Sequence, residues 1–168
     1  PCCSQRIRIV RNGKQIQQTY AKWLAEYQWQ WFCTLTFREP PHPEAADKRF
    51  RYFVHRLNCW RHGKRYQKHH KGLYWVLALE YHRSEAIHFH ALLGDTEDLN
   101  VRLKRSEAKD LWYDLAGFAR IDGIKEQRLA VTEYVSKYIT KGGELTVSDT
   151  LEHYALQGVS VSWDGEAI

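Results

Sequence analysis

A chain of 168 residues, 27% charged and 14% aromatic, is too polar for a membrane bundle and too rich in core material to be disordered. Its longest apolar run, Leu73 to Leu79, is far short of a bilayer span, and its first residues carry no secretory pattern. Cys2, Cys3, Cys33 and Cys59 stand in no paired spacing, which argues against a disulfide framework and for free thiols in a reducing, cytoplasmic setting.

The net charge of +5 is unevenly spread. Lys48 to Lys71 holds nine Lys/Arg and no Asp/Glu, together with His55, His62, His69 and His70, while the remainder is net negative. One cationic stretch in an otherwise acidic chain favours a polyanion such as nucleic acid. Lys64, Arg65, Lys68 and Lys71 are its expected phosphate contacts, since ammonium and guanidinium groups position a backbone rather than read bases.

In chain order, Gln15 to Gln28 has helical spacing, with Ile16, Tyr20, Leu24 and Tyr27 on one side. Trp31 to Phe37 alternates like a strand, and Pro40, Pro41 and Pro43 stiffen the loop after it. A helix is expected from about Glu44 to Trp60, buried along Phe50, Phe53, Val54 and Leu57. Arg61 to Gly72 reads as a loop or a frayed helix end. Leu73 to His82 is apolar on both faces and suits a central strand, followed after a short turn by a strand from Ile87 to Leu93. Val101 to Ala116 is an amphipathic helix stopped by Gly117, Phe118 to Ile124 a short strand, and Leu129 to Lys141 a helix stopped by Gly142 and Gly143. The expected fold is α+β: a mainly antiparallel sheet of about five strands covered by helices, in one domain over residues 1–168. Residues 1–13 and 144–168 are read as loose tails.

Two constellations carry chemistry. On a strand, Ile87, Phe89 and Ala91 face one way and His88 and His90 the other, side by side. A hairpin turn of three or five residues sets Glu80 across from His88 or His90, on their face. A carboxylate inside an apolar strand is costly unless paired with charge. Two imidazoles and a carboxylate form an open facial site suited to Mn²⁺ or Mg²⁺ near phosphates. His82 shares the parity of Glu80 and is a substitute or supporting residue. In the last helix, Tyr134, Lys137, Tyr138 and Lys141 fall at i, i+3, i+4 and i+7 and share a face beside an apolar stripe of Val131, Val135 and Ile139. A phenol attacks phosphorus only as its proton leaves, and the two lysines are placed to favour that.

Together these segments resemble the HUH endonuclease superfamily, specifically the catalytic domain of rolling-circle replication initiators (Rep proteins) of single-stranded DNA phages, viruses and plasmids. Phe32–Cys33–Thr34–Leu35–Thr36–Phe37 resembles the first family motif, Ile87–His88–Phe89–His90–Ala91–Leu92–Leu93 the histidine motif, and Tyr134–Val135–Ser136–Lys137–Tyr138–Ile139–Thr140–Lys141 the tyrosine motif. Glu80 matches the carboxylate ligand. Each motif is short; their order and context carry the resemblance. It implies a ferredoxin- or RRM-like arrangement and an enzyme that nicks and joins single-stranded DNA at a replication origin. In that chemistry a divalent ion on Glu80, His88 and His90 polarises the phosphate, and a tyrosine forms a covalent 5′-phosphotyrosine. The freed 3′-hydroxyl is extended by a host polymerase, with a host helicase implied. Tyr138 is the tyrosine shared by the paired-tyrosine and plasmid patterns, hence the expected nucleophile; Tyr134 is its alternate or a positioning residue. No helicase motif is present, so the chain reads as a minimal initiator or a trimmed catalytic domain. Competing readings are a related single-strand transposase, a non-catalytic nucleic-acid-binding module, and a small metal-dependent oxidase or hydrolase.

Overall fold

A computed structural model describes residues 6–7, 13–69, 71–81, 87–124, 128–140 and 145–151. Six strands, β1 (Arg6–Ile7), β2 (Trp31–Thr36), β3 (Tyr74–Tyr81), β4 (Ile87–Gly94), β5 (Ala119–Gly123) and β6 (Leu145–Val147), form one sheet in the order β1-β6-β3-β4-β2-β5. All its pairings are antiparallel. Four α-helices cover it: α1 (Gly13–Ala25), α2 (Pro43–His62), α3 (Arg105–Leu115) and α4 (Arg128–Thr140). The α+β class holds.

Strand alternation divides the core in two. Odd-numbered strand residues such as Trp31, Leu35, Trp75, Leu77, Phe89 and Ile121 pack with Phe50, Phe53 and Leu57 of α2 and Trp112 of α3. Even-numbered residues Tyr74, Val76, Ala78 and Leu92 pack with Leu24 of α1 and Val135 of α4. The sheet is therefore a middle layer, with α2 and α3 on one face and α1 and α4 on the other. The expected buried stripe of α2 (Phe50, Phe53, Val54, Leu57) is buried throughout. Burying a side chain of this size stabilises the fold by about 1.5–3 kcal/mol.

Several boundaries differ from the sequence reading, each for a physical reason. Proline at the first turn of α2 is tolerated because its missing N–H would be unpaired there anyway, so the helix begins at Pro43 and runs on to His62. The basic segment after it is partly ordered as a 3₁₀ turn, Tyr66–His69, anchored by buried Tyr66. Val101 to Leu103 is not helical in the expected way. Leu99–Val101 is a separate 3₁₀ turn capped by Asp98, whose carboxylate accepts from the Asn100 N–H, and α3 starts only at Arg105. The stretch read as a loose tail from residue 144 contributes β6, which pairs with β3 through Val76↔Val147 and Ala78↔Leu145. A three-residue strand is too short to leave a period in the sequence. β1 pairs in turn with β6. Among the described residues, no helix is long and apolar enough to cross a membrane.

Candidate metal and tyrosine site

The β3–β4 register is Tyr81↔Ile87, Glu80↔His88 and Ala78↔His90, so five residues connect the strands and Glu80 lies directly across from His88. Period-two alternation then puts Glu80, His88 and His90 on the even face, the one covered by α1 and α4. β2 adds Thr34 opposite His90 and Thr36 opposite His88. His90 is buried and its Nε2 lies 3.0 Å from Glu80 Oε2; its Nδ1 lies 3.4 Å from Thr34 Oγ1. The imidazole thus links a carboxylate on one neighbouring strand to a hydroxyl on the other. Which ring nitrogen carries the proton decides whether the Thr34 hydroxyl donates or accepts.

The tyrosine helix packs on the same face. The rings of Phe32 and His90 lie parallel, with centroids 6.2 Å apart, and Tyr134 meets both edge-on, at 5.7 Å from Phe32 and 5.8 Å from His90. α4 can approach this closely because its inner side is small: Thr132 and Ser136 are fully buried, and the Ser136 hydroxyl donates to the Thr132 carbonyl at 2.5 Å. Tyr134 and Lys137 are exposed. Tyr138 belongs to the same helix, but its side chain lies outside the described residues, as do Lys141 and His82.

In donor chemistry, Glu80, His88 and His90 fit a divalent ion: two nitrogens and one carboxylate on one face of two paired strands. Their present arrangement is the Glu80–His90 hydrogen bond, and among the described residues no three His, Cys, Asp or Glu side chains converge as an ion cage. A cation bound through His90 Nε2 would replace that hydrogen bond. The ring proton would then sit on Nδ1, facing Thr34.

The expected phosphate contacts are not brought to this site. Lys64, Arg65, Lys68 and Lys71 are exposed around the 3₁₀ turn that precedes β3. They lie at the open end of the β3–β4 hairpin, where Tyr74 pairs with Gly94, while Glu80 is six residues further along β3. At strand rise that is about 20 Å. Part of the basic stretch is also neutralised by distant acids. Buried Arg61 bonds Asp95 at 2.8 Å and Glu97 at 2.7 Å, and Arg51 bonds Asp47 at 2.7 Å. A cavity of about 530 Å³, lined by Val54, His55, Tyr66, Trp75 and Ser148 among others, opens beside α2 and away from the histidines.

Exposed aromatics, by contrast, gather at the site. Phe118, with 67% of its surface exposed, lies opposite Thr36 just before β5, and Tyr134 is 43% exposed on α4. Sequence reading passed over Phe118, taking it as the first residue of a strand; its position beside Thr36 and His88 follows only from the strand order. No curated protein and no solved structure matches the chain at a significant level. Residues 30–143, which contain β2 through α4 and hence every residue of this site, match the family model of the replication-associated protein ORF2, and the chain belongs to that family.

Proposed function

We propose that the chain nicks and rejoins single-stranded DNA at a replication origin, initiating rolling-circle replication as an HUH-type endonuclease. The observation that supports this most is the contact of Tyr134 with His90, itself bonded to Glu80. Two motifs distant in sequence meet on one sheet face, in a chain whose family is replication-associated.

Glu80, His88 and His90 would hold a divalent ion, Mn²⁺ or Mg²⁺, which when bound polarises the scissile phosphate. Phe32 and Thr34 orient His90 from the sheet side, and α4 carries the nucleophile. The phenol oxygen of Tyr138, or of Tyr134 in alternation, forms a bond to phosphorus as its proton departs. The bond from phosphorus to the 3′-oxygen breaks, and that oxygen leaves with the electron pair and takes up a proton. The products are a 5′-phosphotyrosine and a 3′-hydroxyl, and reversal of the same step rejoins the ends. Lys137 and Lys141 favour the ionised phenol through their charge. Lys64, Arg65, Lys68 and Lys71 hold phosphates further along the strand.

The test is a denaturing-gel assay with origin-bearing single-stranded DNA and Mn²⁺. A covalent adduct is expected, abolished by chelation and by Tyr138→Phe. Survival in Tyr138→Phe with loss in Tyr134→Phe moves the role to Tyr134. Absence of adduct on every cognate origin DNA, with binding intact, leaves a non-catalytic binding module.

A further inference from the structure

Across the sheet at the level of the histidines, the row on the even face reads Phe118, Thr36, His88, Glu80. Phe118 is two strand spacings, about 10 Å, from His88. Its ring is solvent-exposed on a backbone that is firmly held. Thr36 donates to the Phe118 carbonyl through both its N–H, at 2.9 Å, and its hydroxyl, at 3.1 Å. Gly117 before it is enforced, because a Cβ there would stand 2.5 Å from the Thr36 carbonyl oxygen and 2.8 Å from the Arg38 nitrogen. Cations bracket the ring. Arg38 is anchored by its N–H to the Ala116 carbonyl at 2.9 Å, with its guanidinium over the Tyr113 ring. Arg120, two residues along β5, has a side chain 71% exposed and an ion pair to Asp122 at 2.8 Å.

A single exposed aromatic is ordinary. This one is informative by its place, in line with the histidines and between two guanidinium groups. We propose that Phe118 is a stacking platform for a base of the single-stranded DNA that enters the site, with Arg38 and Arg120 on the phosphates either side. The inference deepens the nicking reading and rests on it for the identity of the strand. Stacking on a flat ring accepts any base, so this contact gives affinity and register without sequence choice. It also supplies binding at the histidine end of the sheet, where the Lys64–Lys71 stretch does not reach.

The experiment is fluorescence anisotropy of the full chain with a dye-labelled oligothymidylate, titrated at several salt concentrations. Phe118→Ala is expected to weaken binding by about 5- to 100-fold at every salt concentration without changing the salt slope, because stacking releases no counterions. Phe118→Trp is expected to bind at least as well as the parent. Replacing Arg38 and Arg120 together by Ala is expected to lower the slope. Binding by Phe118→Ala within twofold of the parent overturns the platform, as does a loss that Phe118→Trp shares. The adduct assay on the parent separates the two readings. Adduct formation with unaltered binding by Phe118→Ala removes the platform alone. Absent adduct with the stacking loss intact removes nicking alone.

Discussion

At the scale of single residues, the sheet protects some reactive groups and orients others. Cys33 is fully buried in β2, and burial pushes its thiol pKa upward, with the nearby Asp122 carboxylate adding to the effect. It should stay protonated and inert, whereas the partly exposed Cys59, whose sulfur lies 3.6 Å from His55 Nε2, should react. Iodoacetamide followed by peptide mapping is expected to label Cys59 in native protein and Cys33 only in denaturant; equal native rates would contradict the burial. Thr34 has a quieter role. Its hydroxyl is the partner of His90 Nδ1 and would fix which nitrogen faces the ion. Thr34→Val keeps the shape and removes that bond. Loss of such a supporting partner commonly costs about 10–100-fold in metal affinity. Calorimetry with Mn²⁺ should register it, and an unchanged affinity would mean that Thr34 does not orient the ligand. The sequence placed Glu80, His88 and Tyr134 on matching faces by parity alone. It could not show that Thr34 and Phe32 are the residues touching His90, because that depends on β2 lying next to β4.

At the scale of elements, periodicity located the long pieces and failed on the short ones. The apolar spacing of Phe50, Phe53, Val54 and Leu57 is enough to define α2, because several turns repeat one pattern. Nothing periodic distinguishes three residues of β6 from a loop, and strand order is set by packing that no local window contains. The same limit applied to charge. The basic stretch reads as one cationic face, yet Arg61 turns inward to Asp95 at the end of β4, fastening the C-terminus of α2 to the sheet. His62 beside it is mostly buried, its Nε2 3.2 Å from Asp95 Oδ2 without hydrogen-bond alignment. Burial lowers its pKa below the ordinary 6.5; Arg61 and Lys71 push the same way, against the pull of Asp95 and Glu97. The unfolded chain therefore takes up a proton at His62 before the folded one does. Its stabilising contribution is full above about pH 6.5 and is lost as pH falls toward the folded-state pKa. Melting temperatures of the parent should drop on acidification through this window more steeply than those of His62→Gln. Parallel curves would show that His62 does not carry the effect.

At the scale of the whole molecule, the region that matches the family and the region that must fold are different. The match covers residues 30–143, yet β6 begins at Leu145 and pairs with β3, and α1 packs against the tyrosine helix, with Gln17 Nε2 3.5 Å from the Glu133 carbonyl. The site-bearing face is thus completed by segments on both sides of the match. Leu145, Val147 and Leu151 are all buried in the core that includes Val135 of α4. Each such side chain contributes about 1.5–3 kcal/mol when buried. Removing three, and leaving one edge of β3 unpaired, approaches the whole of a domain's usual stability of about 5–15 kcal/mol. A chain ending at residue 143 keeps every proposed ligand and both tyrosines, so a purely local view of the site predicts full activity. The packing predicts the opposite: α4 loses its support, Tyr134 loses its fixed contact with His90, and adduct formation falls with the fold. Thermal unfolding followed by near-ultraviolet circular dichroism should show no cooperative transition for the truncated chain. A sharp transition within a few degrees of the parent would mean that β6 is dispensable and that the site is held by the β2–β4 strands alone.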